Sequence, residues 1–393
     1  MVRLELVQEV SGLRSLEYAW HDLLQRSDAA SIYVTPEWMQ AWWQVFSAGR
    51  RLFVIAAWDG NLLVGLAPLL LRRVFQMRCL PFRRLEFIGT GEAESDEAGS
   101  NYLDILLDRT REKEVASLVW DAIFGKWGGR WDEAVLLSAR SDSVALSVGH
   151  EQVLARGSGR VEILKTTPCL FAPLPPDWEQ YLASLGYKTR RNLRHDRRVL
   201  ETSGPLSYEL HEGDAALQRF EEFVSLHRRR WASRSDRDAF SSRQFMQFLS
   251  IMVSEAARQG WLWIGLLRHQ GQIVAGSCHF AYGGTVYGYQ VGCDVDYDPK
   301  LGLGKLEFGF SIEQAILRGY RIFDFYKANL GGYKTLLAKA QRDVVDIRFA
   351  HHSVREGMLC FLQRLKGRAK TRLSRSSRAA RRESTGGGPL LTG

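Results

Sequence analysis

A short glycine loop contains the residues of this chain that are best suited to chemistry. Two glycines surround one leucine and a lysine lies on each side: Lys300, Gly302, Leu303, Gly304 and Lys305. An amphipathic run follows directly, over residues 306–317. A glycine loop at the start of a helix offers backbone N–H groups and the positive end of the helix dipole to a phosphate. The pattern predicts a site for a phosphate-bearing cofactor, with a plain tight turn as the alternative.

The segments on either side of the loop favour a binding site over a plain turn. TVYGYQVG, residues 285–292, is rich in aromatic and β-branched residues and predicts a strand. RIFDFY, residues 321–326, predicts a buried strand, and the helix between the two strands makes them parallel. Where such a pair splays apart, backbone N–H groups near Tyr289 and Val291 are expected to polarise a carbonyl group.

The predicted elements follow the same order in the two halves of the chain. Each half is predicted to run β-α-α-β-β-β-α-β-α-β, which indicates an internal duplication. In the first half the predicted elements include helices over 13–25 and 36–46, the second beginning at Pro36, and strands over 63–73 and 101–108. The boundary is expected at the proline-rich segment 168–176. The corresponding loop of the first half, between Asp108 and Glu112, contains no glycine. Close approach of a ligand to the backbone is therefore predicted for the second half only.

A strongly basic helix is predicted around residues 188–198, which contain six lysines and arginines and one acid, Asp196. Arg190, Arg191 and Arg194 recur at helical spacing, so their charges lie close together and repel one another. An anionic substrate relieves this repulsion, and the candidates are a nucleotide-linked sugar, a polyanionic saccharide or the acceptor arm of a tRNA. A solvated charged face is the alternative.

The net charge of +9 comes from the C-terminal end of the chain. Nine lysines and arginines and no acid lie between residues 361 and 382, and the rest of the chain carries equal numbers of acids and bases. A basic tail of this kind suits an anionic membrane surface or a nucleic acid. The alternative is a disordered end that only aids solubility.

Cysteine content and apolar segments predict a cytoplasmic protein. The five cysteines form no Cys-x-x-Cys pair, which indicates reduced thiols and no metal site. The N-terminus lacks the apolar segment of a signal peptide, and the longest apolar run, residues 62–71, is too short to span a bilayer. The basic tail would allow a peripheral position at the inner membrane face.

Five segments, in their order along the chain, resemble the GNAT acyltransferase superfamily in the tandem form of CelD-type and FemAB-like proteins. They are YVTPEWMQAWWQVF (33–46), LVGLAPLLL (63–71), YKTRRNLRHDRRVLE (187–201), LGLGKLEF (301–308) and GYRIFDFYKANLGGYK (319–334). The resemblance implies an α/β (α+β) fold of two tandem GNAT-like domains, each a mixed, mostly antiparallel sheet flanked by helices. The implied division is a degenerate domain at 1–170, an acyltransferase domain at 171–355 and a basic, partly disordered tail at 356–393.

The resemblance also implies a reaction, in which acyl-CoA (acetyl-CoA or longer) donates its acyl group to an amine or hydroxyl without a metal. The acceptor would be a small molecule or saccharide of the cell envelope or of exopolysaccharide synthesis. The reaction needs a base, a group that polarises the carbonyl and a proton for the leaving thiolate. Tyr333 lies where GNAT enzymes place a tyrosine acid, and Lys334 is placed to stabilise negative charge, as in FemAB-like proteins. Candidate bases are Asp294, Asp296 and Glu307, with His279 less favoured, and Asp324 is expected to order the cleft for substrate.

Two other functions stay open. The resemblance to FemAB-like proteins also allows an aminoacyl-tRNA as the donor, although tRNA is the less favoured partner. The alternative from another class is a non-catalytic GNAT-like accessory protein of polysaccharide synthesis. The sequence does not name the acyl chain, the acceptor or the oligomeric state.

Overall fold

A computed structural model of the chain describes residues 1–157, 159–232, 239–327 and 332–362. The first half contains β1 (Val2–Val7), α1 (Val10–Ser15), α2 (Glu17–Gln25), α3 (Pro36–Phe46), β2 (Arg50–Leu52), β3 (Val54–Asp59), β4 (Leu62–Ala67), β5 (Leu69–Gln76), β6 (Leu80–Phe87), β7 (Leu106–Leu107), α4 (Glu112–Phe124), β8 (Glu133–Arg140) and α5 (Val144–Arg156). The strand β9 (Gly159–Pro173) leads from this half into the second.

The second half contains α6 (Trp178–Ser184), α7 (Tyr187–Ser203), β10 (Leu206–Glu212), α8 (Gly213–Ala232), α9 (Arg243–Arg258), β11 (Leu262–His269), β12 (Gln272–Tyr282), β13 (Thr285–Cys293), α10 (Leu303–Leu317), β14 (Ile322–Lys327), α11 (Lys334–Leu337) and β15 (Ala340–His351). A C-terminal helix covers residues 354–362. The nine lysines and arginines of the predicted basic tail lie beyond residue 362 and outside the described residues. Within the part of the chain that the structure describes, no helix combines the length and apolar character needed to cross a bilayer.

Two sheets form the scaffold of the described residues. A four-stranded sheet has the order β1-β3-β4-β7, and an eleven-stranded sheet has the order β10-β11-β12-β13-β14-β9-β15-β8-β6-β5-β2. The pairs β13–β14 and β6–β8 are parallel, and the other strand pairs are antiparallel. This arrangement confirms the predicted fold class, a mixed and mostly antiparallel sheet structure flanked by helices.

The strand β9 joins the two halves into one sheet. It pairs with β15 along most of its length and with β14 near Ala172, and β15 in turn pairs with β8 of the first half. The eleven-stranded sheet therefore runs through both halves of the chain. The predicted boundary at residue 170 lies within β9, and the division into domains at 1–170 and 171–355 stays a prediction.

The helix α3 packs the first half against the second. It begins at Pro36, as predicted, because Thr35 caps it: the backbone N–H of Trp38 donates to Thr35 Oγ1 at 3.3 Å. Trp38 is fully buried, and its ring packs edge-on against Phe248 of α9 and Tyr289 of β13, at centroid distances of 5.1 and 5.8 Å. Burial of an aromatic side chain of this size contributes about 2–3 kcal/mol, so this contact holds the two halves together.

The first half departs from the predicted order of elements, so the exact duplication of that order is wrong. The predicted strand over residues 101–108 is reduced to β7, because Tyr102 turns the chain with a positive φ of 53°. Pro68 divides the predicted strand over residues 63–73 into β4 and β5, which join different sheets, since proline has no N–H to donate to a ladder. The predicted helix over residues 13–25 is divided into α1 and α2, and β6 has no counterpart among the predicted strands.

Candidate active site

The parallel strands β13 and β14 separate in the middle of the sheet, which confirms the predicted splay. They pair at three positions, Thr285–Ile322, Val286–Phe323 and Tyr287–Asp324. Farther along, β14 pairs with β9 at Lys327, whereas β13 continues along β12 to Cys293. Gly288 lies where the strands separate, and a Cβ atom there would be 3.0 Å from the Asp324 carbonyl oxygen and 3.2 Å from the Phe308 ring. The close approach of the two strands therefore requires a glycine at this position.

The predicted glycine loop leads directly into α10. Gly302 is the N-cap of this helix and provides no side chain that caps it, an arrangement that leaves the helix N-terminus suited to an anion. The N–H of Gly302 itself donates to Asp196 Oδ2 of α7 at 3.2 Å, and Asp196 is buried. The one acid among residues 188–198 thus ties the basic helix α7 to the loop.

A cleft of about 400 Å³ opens beside the glycine loop. Four of the predicted cofactor-binding residues line this loop cleft, Gly302, Leu303, Gly304 and Lys305, together with two of the predicted catalytic residues, Asp294 and Tyr333. Lys300 is exposed, with its backbone N–H bonded to Asp298 Oδ1 at 2.9 Å, and it is not among the described residues that line the cleft. Val291 packs against the apolar cluster around Phe308. The structure therefore brings the loop together with Asp294 and Tyr333 and leaves Lys300 at the surface.

A second and larger cleft, of about 710 Å³, lies between the two halves of the chain. The first half lines this inter-half cleft with the segment 94–97 and Gly99, and the second half lines it with Ser241, Ser242, Tyr289, Gln290, Tyr326 and Lys334. The hydroxyl of Tyr289 donates to the carbonyl oxygen of Ala98 at 2.8 Å. Glu97 forms an ion pair with Lys327 at 3.6 Å. The first half therefore forms one wall of a cleft that opens onto the splayed strands.

Two consecutive residues connect these clefts, since Tyr333 lines the loop cleft and Lys334 lines the inter-half cleft. Lys334 Nζ donates to the backbone carbonyl of Phe325 in β14 at 2.9 Å. Burial lowers the pKa of Lys334 to about 8, and the negative charge of Asp324 opposes this shift. The ammonium group of Lys334 is thus held at the splay and loses its proton in mildly alkaline solution.

Asp324 is buried at the last position where β14 pairs with β13, and it binds groups from both halves. Its carboxylate accepts hydrogen bonds from the Tyr102 hydroxyl and from the Tyr326 backbone N–H, each at 2.7 Å, and pairs with Arg342 at 3.2 Å. Burial raises the pKa of Asp324, and Arg342 opposes the increase. Tyr326 has a positive φ of 68°, and its bond to Asp324 holds it in this conformation. This geometry orders the wall of the inter-half cleft, while contact of Asp324 with substrate stays a prediction.

Glu307, another predicted base, lies in the core of the second half. It is fully buried, its Oε1 accepts a hydrogen bond from Ser311 Oγ at 2.9 Å, and its Oε2 has no partner among the described residues. Burial raises the pKa of Glu307 to about 7. His279 joins the same network through Ser311 at 3.1 Å, and burial lowers the pKa of His279 to about 3, so its ring is neutral. Of the predicted bases, Asp294 lines the loop cleft, whereas Glu307 lies on α10 and faces the core.

The pH dependence of stability is expected to change when Glu307 is replaced by glutamine. Because the pKa of Glu307 in the folded chain, about 7, exceeds its ordinary value of 4.5, the folded state binds the proton more tightly. The free energy of unfolding should therefore fall as the pH rises from 4.5 to 7, by up to about 3 kcal/mol from this group. In Glu307→Gln this decrease should be absent when urea unfolding is measured at both ends of the range.

Glu313→Gln is the matched control, because Glu313 lies on the same helix but is partly exposed and paired with Arg197. The free energy of unfolding of Glu313→Gln should change with pH as it does in the unsubstituted chain. An equal decrease with pH in Glu307→Gln and in the unsubstituted chain would contradict the assignment of this titration to Glu307.

The predicted arginines share one exposed surface of α7. Arg190, Arg191 and Arg194 surround a shallow depression of about 350 Å³ together with Tyr187, His195 and Arg198. Arg194 pairs with Glu179 at 2.6 Å, and the guanidinium of Arg191 lies over the ring of Tyr187 at 5.9 Å. They are not among the described residues that line the loop cleft or the inter-half cleft. Binding of substrate by these arginines stays a prediction for a separate surface.

Two contributors to the site come from the first half and escape prediction from sequence. They are the acidic segment 94–97 and Tyr102, which bonds to Asp324. Gly89, Gly91 and Gly99 around the acidic segment mark an irregular loop and all take positive φ. That signal indicates a loop but gives no information on the strand that the loop contacts.

Comparisons with known proteins agree with this geometry. Residues 187–335 match the profile of the family described as acetyltransferase (GNAT) domain. No curated protein matches the chain. Among solved structures, FemX superposes with a TM-score of 0.61 at 10% identity, covering 91% of this chain and 99% of its own. L-PGS from Bacillus licheniformis superposes with a TM-score of 0.51 at 12% identity, covering 91% of this chain and 97% of its own.

The second half thus contains a GNAT acetyltransferase domain, and the protein is an enzyme of the acyltransferase class. The whole chain has the tandem GNAT-type, FemAB-like fold, which confirms the resemblance seen in the sequence. At 10–12% identity the likeness to the solved structures shows the fold and names neither a donor nor an acceptor.

Proposed function

We propose that the protein transfers an acyl group from acyl-CoA to an amine or hydroxyl of a cell-envelope or exopolysaccharide precursor. The observation that carries this proposal is the position of Tyr333 and Lys334, which join two clefts where β13 and β14 separate. A donor in the loop cleft and an acceptor in the inter-half cleft would reach the same splayed strands. The acceptor class rests on the resemblance to FemAB-like and CelD-type proteins.

The loop cleft suits the pyrophosphate of acyl-CoA. The helix α10 begins without a capping side chain at Gly302, and Lys305 lies beside this N-terminus. A helix N-terminus and an ammonium group both stabilise phosphate charge. Because Asp196 already accepts the N–H of Gly302, the phosphates would meet the loop at Leu303 and Gly304.

The predicted catalytic residues at the two clefts, Asp294, Tyr333 and Lys334, have distinct roles in the proposed reaction. Asp294 accepts the proton of the incoming amine or hydroxyl, whose nitrogen or oxygen bonds to the thioester carbonyl carbon. Lys334 and the backbone of β13 near Tyr289 and Val291 stabilise the negative charge that develops on the carbonyl oxygen. As the C–S bond breaks, Tyr333 donates a proton to the leaving thiolate.

Replacing Gly302 with valine is expected to weaken acyl-CoA binding by about tenfold or more. A Cβ atom at Gly302 would lie 2.7 Å from Lys305 Cε and 3.1 Å from Asp196 Oδ2, so the side chain would displace both groups and distort the loop. Calorimetry with acetyl-CoA and a longer acyl-CoA measures the change. Gly129→Val is the control, because a Cβ atom at Gly129 meets nothing within 4 Å.

A second function, transfer from an aminoacyl-tRNA, is favoured by the exposed arginine surface of α7. If the chain binds no acyl-CoA in calorimetry but binds charged tRNA with a steep salt dependence, the acyl-CoA proposal fails and this one replaces it. If neither donor binds, and Tyr333→Phe and Lys334→Ala still complement cells that lack this chain, the chain acts as an accessory protein.

A further inference from the structure

The C-terminal helix, residues 354–362, is attached to the sheet by one face. Glu356 is buried and forms two hydrogen bonds with Arg348 of β15, at 2.9 and 2.5 Å. Leu359 is buried on the same side, and Arg355 pairs with Asp132 at 3.0 Å. These contacts fix the orientation of the helix, so the direction of its opposite face is also fixed.

The opposite face of this helix is apolar and exposed. Val354, Met358 and Phe361 are 84%, 47% and 60% exposed, and their spacing of four and three residues puts them in one stripe. Single exposed apolar side chains are common on protein surfaces. A continuous stripe of three on a firmly attached helix is different, because it forms an apolar surface that no described residue covers.

The charge of the chain beyond this helix indicates what covers the stripe. Nine lysines and arginines and no acid occur between residues 363 and 382, directly after the helix. Apolar side chains beside a run of cations match the interface of an anionic bilayer, where the apolar groups enter the headgroup region and the cations meet lipid phosphates. A nucleic acid would attract the cations but would leave the apolar stripe in water.

We propose that the stripe formed by Val354, Met358 and Phe361 is a docking surface for an anionic lipid bilayer, with the basic sequence that follows providing the electrostatic attraction. Docking of this kind is peripheral and reversible, since it combines a small apolar area with charges that salt screens. The inference goes beyond the proposed acyl transfer and holds for either donor.

Sedimentation of the full chain with vesicles tests this surface. The chain should bind vesicles of phosphatidylcholine containing about one quarter phosphatidylglycerol, should bind pure phosphatidylcholine weakly, and should lose affinity as salt increases. Met358→Asp combined with Phe361→Asp should lower the partition coefficient by about tenfold or more. Leu154→Asp is the control, because Leu154 is 68% exposed on α5 and lies outside the stripe.

Two results would overturn the proposal: unchanged vesicle binding in the double aspartate variant, or failure of the unsubstituted chain to bind anionic vesicles while it binds RNA. Near-UV circular dichroism checks that the variant is folded. If the aspartates unfold it, Met358→Ser with Phe361→Ser replaces it, and the same loss of vesicle binding is expected.

Discussion

Replacing Lys334 with methionine is expected to lower kcat by about two to three orders of magnitude and to change donor affinity little. Lys334 Nζ is fixed on the Phe325 carbonyl oxygen and lines the inter-half cleft, so the variant loses a positive charge at the point where negative charge develops. Donor affinity should persist, because the loop cleft is lined by Tyr333 and the glycine loop rather than by Lys334. Steady-state kinetics and calorimetry on the same variant separate the two effects.

The pH profile distinguishes electrostatic stabilisation by Lys334 from a role as base. With a pKa of about 8 for Lys334, activity that depends on the ammonium group falls as the pH rises through 8. Activity that depends on the neutral amine would rise through the same range and would contradict the proposed role. Lys334→Arg should keep part of the activity and remove this decrease, because arginine stays charged. Lys339→Met, at an exposed position of the same segment, should leave kcat unchanged.

Stability should move in the opposite direction to activity in Lys334→Met. Because the pKa of Lys334 in the folded chain lies below its ordinary value of 10.5, burial of the charged form destabilises the fold at every pH below about 8. At pH 7 the free energy of unfolding of the variant should therefore exceed that of the unsubstituted chain by about 1–2 kcal/mol. Urea unfolding measures this difference. This difference should shrink as the pH rises from 8 towards 10.5, where the unsubstituted lysine is neutral in both states.

Replacing Asp324 with alanine is expected to lower the free energy of unfolding by about 3–4 kcal/mol. The variant leaves the Tyr102 hydroxyl without its acceptor, removes the ion pair of Arg342 and releases the Tyr326 backbone from its positive φ. Activity should fall as well, since Tyr326 lines the inter-half cleft. Urea unfolding and steady-state kinetics measure the two losses.

The contact between the halves can be isolated with a double-mutant cycle of Tyr102→Phe and Asp324→Ala, because each substitution removes the hydrogen bond between the two side chains. The two substitutions should show a coupling energy of about 1–2 kcal/mol. A coupling energy near zero would mean that this hydrogen bond does not connect the first half to β14.

Local patterns were sufficient to predict most of the second half. The meander of β11, β12 and β13 follows from aromatic and β-branched residues with turns between them, and Gly283 and Gly284 make one turn with positive φ. The helix α10 and the parallel strand after it follow from a glycine loop and a short apolar run. In the first half, Pro68 and the turn at Tyr102 disrupt the same patterns, so the predicted strands are divided or shortened there.

The residues of the loop cleft can be predicted because they are close together in the sequence, whereas the wall that the first half adds to the inter-half cleft cannot. The wall formed by residues 94–97 and the bond from Tyr102 to Asp324 connect positions far apart in the chain. Glu307 shows a second limit. The helix α10 is buried on most sides, so its apolar pattern does not indicate whether Glu307 faces a cleft or the core.

The continuous sheet has a consequence for how this protein can evolve and be engineered. The strand β9 lies between β14 and β15, and the other edge of β15 pairs with β8. A shortened gene that encoded only residues 171–355 would lack most of β9 and all of β8, and both flanking strands would present open edges prone to aggregation. The first half has no glycine in the corresponding loop, but it is still needed to complete the sheet. The second half, in turn, is not a unit that can be moved into another protein alone.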